Sequence, residues 1–97
     1  MNAEVAAFLD SLKTGAPPAA AASLLRALWH GLHGEWETAH QIAQDDTSAE
    51  GAWVHAWLHR IEGDLDNARY WYRRAQREVA EGDFREEGKT IAAFLLK

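Results

Sequence analysis

Apolar residues recur along this chain at spacings of three and four, and nowhere alternate with polar ones over a strand's length. That pattern predicts an all-α protein of six short helices. The first runs from about Ala3 to Lys13, with Val5, Phe8, Leu9 and Leu12 on one face, Asn2 as N-cap and Gly15 as a left-handed stop. The second, opened by Pro17 and Pro18, carries Leu24, Leu25, Leu28, Trp29 and Leu32 to about His33. Gly34-Glu35 punctuates it, and a third helix runs to about Gln44. Asp45 to Ser48 reads as a loop with capping residues. The fourth helix bears Trp53, Val54, Trp57, Leu58 and Ile61. After Gly63-Asp64 a fifth runs to about Glu81. Asp83, with Glu86 three residues on, has the form of a capping box for a final helix bearing Phe84, Ile91, Phe94 and Leu95.

Displacing the chain against itself by 29 residues aligns Ala27, His30, Gly34 and Ala39 with Ala56, His59, Gly63 and Ala68. Leu25, Leu32, Glu35, Trp36 and Glu37 fall on Val54, Ile61, Asp64, Leu65 and Asp66. A helix–glycine–acid–helix hairpin is therefore present twice, and such periods mark stacked-repeat folds.

The tract Gly63-Asp64-Leu65-Asp66-Asn67-Ala68, followed by Tyr72 and Ala75, resembles the tetratricopeptide repeat. The resemblance extends over residues 23–75. It implies that the glycine ends the first helix, that Ala56 and Ala68 allow close approach, and that Tyr72 and Ala75 pack inward. Ala27 and Ala39 repeat the arrangement in the first copy. The 29-residue period is shorter than the repeat's usual length of about 34. Arg26 and His55 stand where large apolar residues are usual, and Ala43 and Asp46 replace the late aromatic and alanine. The closing proline is missing. The segment from Trp57 to Ala75 is also similar to a group of small microbial proteins, a likeness that implies a shared fold and no activity.

The length, 97 residues, suits one domain. Its divisions are an N-terminal capping helix (1–16), hairpin 1 (17–45), hairpin 2 (46–81) and a C-terminal capping helix (82–97). Two hairpins are too few for a free-standing solenoid, so the terminal helices are expected to close its ends in a right-handed stack or bundle. The absence of cysteine excludes disulfides, thiol nucleophiles and thiolate metal sites. A net charge of −5 opposes nucleic-acid binding. Residues 1–48 carry two basic and six acidic side chains, and residues 49–97 eight and nine, so the second half is a surface of mixed charge. The start of the chain lacks a positive export segment and no apolar run suits a bilayer, so a soluble, cytoplasmic protein without membrane partners is expected.

The composition concentrates candidate chemistry in five tryptophans and five histidines. His55 and His59 share a helix face at a two-histidine metal spacing, but Ala56 stands where a metalloprotease needs glutamate. His30 and His59, equivalent in the repeat and beside small residues, are expected at helix seams. Trp53 and Trp57 admit two readings: core filling, or, as the resemblance implies, an open groove on the first helix of each hairpin. In the second reading Trp53, Trp57, Arg60 and Leu28, joined by Leu24 and Gly31, would bind a protein or peptide. Arg69, Arg73 and Arg77 form a basic stripe on the fifth helix, where Arg74–Glu78 and Arg77–Glu81 read as solvated pairs. Asn67 either satisfies backbone donors or braces His59 or a tyrosine across the hairpin.

No phosphate loop, nucleophile elbow, zinc-finger spacing or calcium loop occurs, so no cofactor, resident metal or catalytic residue is expected. The leading expectation is a non-catalytic module binding a protein, a peptide or a second copy of itself. The alternative is a small-molecule or metal site, that of a binding protein or of an enzyme, around His30, His59, Asn67 and Tyr70.

Overall fold

The computed structural model describes residues 3–97, so the expected Asn2 cap lies outside the described residues. Six α-helices follow in order: α1 (Ala3–Asp10), α2 (Ser23–Leu32), α3 (Trp36–Gln44), α4 (Ala49–Glu62), α5 (Leu65–Arg74) and α6 (Phe84–Leu95). There is no strand among the described residues. The most extensive packing pairs α2 with α3 and α4 with α5, α3 joins the hairpins by lying on α4, and α6 packs against α1, α2 and α4.

The two hairpin turns are built alike. Gly34 and Gly63 adopt φ of 86° and 90°, the left-handed conformation that ends a helix. In each, the next amide closes the turn: Glu35 donates to the His30 carbonyl at 2.8 Å, and Asp64 to that of His59 at 3.0 Å. The repeat is thus visible in hydrogen bonding as well as in sequence. Starts are capped by side chains where the sequence placed acceptors. Ser48 Oγ accepts from the Gly51 amide, Asp64 from Asn67, and Asp83 from Arg85 and Glu86. The Glu86 carboxylate pairs with Lys89.

Three boundaries differ from the pattern's expectation. Helix α2 begins at Ser23, not at the prolines. Pro18 disfavours helical geometry at Pro17, and the alanines that follow offer too little apolar surface to hold a turn against the core. Gly15 does not take the left-handed conformation. The chain leaves α1 through a 3-10 turn at Ser11–Lys13, which Thr14 closes by donating to the Ser11 carbonyl at 3.0 Å. Helix α5 stops at Arg74, not Glu81, because Gln76 adopts a φ of 60°. The Arg77 amide then donates to the Tyr72 carbonyl at 3.0 Å, the same closure as in the hairpin turns but without glycine.

At the centre, α4 is buried continuously from Gly51 to Arg60. A helix enclosed on all sides must place even its polar residues inside. His55, His59 and Arg60 are accordingly buried with Trp53, Val54, Trp57 and Leu58. Ala27, Ala39, Ala56 and Ala68, the small repeat positions, are fully buried, and the inward Tyr72 and Ala75 are buried beside them.

Candidate functional site

The open aromatic groove does not form. Leu28 and Trp57 are fully buried, and Trp53 and Arg60 are only 5% and 7% exposed. The reason is α6, which folds back over the first helices of both hairpins and fills the groove. Trp57 Nε1 donates to the Phe84 carbonyl at 2.8 Å, and Trp53 Nε1 to Glu87 at 3.2 Å. Arg60 donates to Glu87 and to the Gly82 carbonyl, while the Tyr72 hydroxyl donates to Glu87 at 2.6 Å. Burial and the Glu87 carboxylate push the Tyr72 phenol upward from its ordinary value of 10.0. The Arg77 guanidinium covers Trp53, 3.5 Å from the ring centre.

The histidines form the second constellation. His55 and His59 project from one face of α4 and meet His40 of α3. The Nε2 atoms of His40 and His55 lie 3.0 Å apart, so one ring donates and the other accepts. One nitrogen of each of the three rings falls within 4.8 Å of the others. Tryptophans wall the cluster. Trp36 stacks on His40 at 4.7 Å, and Trp71 on His55 at 3.9 Å. Trp36 is itself anchored by donating through Nε1 to the Leu58 carbonyl at 2.6 Å.

Electrostatics follow burial. His55 is pushed down from 6.5 to about 4, by desolvation first and then by His59 and His40. Desolvation and His59 also lower His40, against the opposing pull of Glu37 and Glu62. Both rings are therefore neutral at pH 7. His59 Nδ1 lies 2.6 Å from Glu62 Oε2. Because an ionised carboxylate only accepts, His59 donates to Glu62 through Nδ1.

The alternative quartet is divided among different neighbours. His30 packs against Trp29 and bonds Glu35 at 2.8 Å, and that bond is the main reason the Glu35 carboxyl titrates below 4.5. Asn67 donates its backbone and side-chain N–H groups to Asp64, so it serves the start of α5 rather than a tyrosine or His59. Tyr70 is exposed and accepts from Arg74. Of the four, only His59 belongs to the imidazole cluster. The early end of α5 also breaks the basic stripe: Arg77 is off the helix over Trp53, and Arg74 lies over Tyr70 and Trp71, so neither makes its expected glutamate pair. The residue that sequence reasoning missed is His40. Its one signal was Trp36 four positions earlier, the spacing that stacks the two rings on α3.

The surface carries a cleft of about 380 Å³ between the start of α5 and the segment entering α6, lined by Leu65, Arg69, Val79, Phe84 and the edge of Arg60. A larger apolar hollow of about 650 Å³ lies between α1 and the Pro17–Pro18 segment. No described helix is long and apolar enough to cross a membrane. Comparison with protein-family models, with curated proteins and with solved structures found no match.

Proposed function

We propose that this chain is a non-catalytic helical-repeat module, tetratricopeptide-like in its two hairpins, that docks a protein or peptide on the Leu65–Val79–Phe84 cleft. One observation carries the reading: these are three of the five large hydrophobic residues exposed among the described residues, and they line a single concavity. Grouped exposed apolar residues mark interaction surfaces, whereas scattered ones do not. Arg69, paired with Asp66, and Glu81 give the cleft a rim of mixed charge around its apolar floor. With α6 occupying the first-helix face, the partner surface moves to the outer edge of the second hairpin.

Site-specific photo-crosslinking tests this. A benzophenone side chain at position 79 should trap one discrete partner in the native cell, and Leu65→Glu should abolish that adduct without altering the helical circular dichroism. An adduct between two copies of the chain would identify the partner as itself. The same pattern of adducts with the benzophenone moved to exposed Gln41, away from the cleft, would contradict the assignment.

A further inference from the structure

We propose that His40, His55 and His59 form a binding site for a single divalent transition-metal ion, Zn²⁺ foremost, that staples the two hairpins together. Three imidazoles reach one point from two helices, with a nitrogen of each within 4.8 Å of the others. Ligand nitrogens on a tetrahedral Zn²⁺ with bonds of about 2.0–2.1 Å stand roughly 3.3 Å apart. The His40–His55 separation of 3.0 Å is already close to that spacing. Small ring movements, not a rearrangement of helices, complete the site.

The surroundings resemble the support a metal centre needs. Glu62 holds the Nδ1 side of His59, the carboxylate–histidine arrangement that aims the opposite nitrogen at an ion. Trp36 and Trp71 fix the planes of His40 and His55 by stacking. Binding requires the ring that donates through Nε2 to move or release that proton, which frees the lone pair for the ion. Imidazole donors without thiolate favour Zn²⁺, Ni²⁺ or Cu²⁺ over Ca²⁺ or Mg²⁺. Three protein ligands leave a fourth position for solvent. The site lies on α3 and α4, apart from the residues of the proposed docking cleft, so either assignment can fail alone.

The test uses the full chain, freed of metal with a chelator and titrated with Zn²⁺ by calorimetry and with Co²⁺ by visible absorption. One ion per chain is expected, with the intense bands of tetrahedral Co²⁺ and a rise in Tm with Zn²⁺. His40→Ala, at the half-buried ligand, should remove binding and the Tm rise while keeping the helical circular dichroism, and His40→Gln guards against a packing artefact. Glu62→Gln should weaken binding about 10–100-fold. His30→Ala should leave it unchanged. Absence of tetrahedral Co²⁺ bands, or binding that survives His40→Ala, overturns the proposal.

Discussion

Arg60 donates through Nε and Nη2 to one carboxylate oxygen of Glu87, at 3.0 and 2.8 Å, with both side chains buried. The other carboxylate oxygen accepts from Trp53 and Tyr72. Helix α6 is therefore fastened to the central helix by a carboxylate whose two oxygens are both occupied. Breaking one side of such a pair strands a charge without solvent, so Glu87→Ala should cost roughly 3–5 kcal/mol in urea unfolding. Tyr72→Phe, which removes one neutral donor, should cost only about 1–2 kcal/mol. Similar losses for the two variants would show that the ion pair does not hold α6.

Gly31 opposes the Trp57 ring, and a Cβ built there would sit 2.5 Å from the indole. Alanine improves helix propensity by about 1 kcal/mol at such a position. Trp57 cannot withdraw, because it is fully buried and tied to the Phe84 carbonyl. Overpacking should win, and Gly31→Ala should lower stability by roughly 1–3 kcal/mol. A rise in Tm would mean that the α2–α4 seam is looser than described.

Gln76 holds a φ of 60° at the end of α5, where a side chain is strained and glycine is not. Gln76→Gly should raise stability by about 1 kcal/mol, although glycine elsewhere would lower it. Thermal unfolding of this variant against Gln76→Ala, which keeps the strain, separates the two effects.

Stability of the metal-free protein should fall with acid in a window set by His55. Its folded value of about 4 lies below the ordinary 6.5, so the unfolded chain takes up the proton first. The contribution is complete above 6.5 and declines as pH drops toward 4, by roughly 3 kcal/mol in all. Urea titrations across this range should show a shallower dependence for His55→Gln. Equal slopes would place His55 in water.

Helix number, the stops at Gly34 and Gly63 and the duplicated hairpin were legible because each rests on local chemistry: spacing of apolar residues, left-handed glycine, side-chain caps. The end of α5 was not, since Gln76 carries no signal for positive φ and is held there by its tertiary setting. Closure of the aromatic face was equally hidden. Trp53 and Trp57 look alike whether they face solvent or α6, and the deciding partner, Glu87, lies 30 or more positions away in sequence. His59 and His55 could be paired by helical spacing, but His40 reaches them only because α3 lies on α4. Convergence from separate elements has no period to read.

That buried convergence is most directly tested by following the histidine ring signals of the metal-free chain by NMR as pH is lowered. His55 should keep the pattern of a neutral imidazole and titrate with a midpoint of about 4. A midpoint at the ordinary 6.5 would contradict the enclosure of His55 between Trp71, His40 and His59.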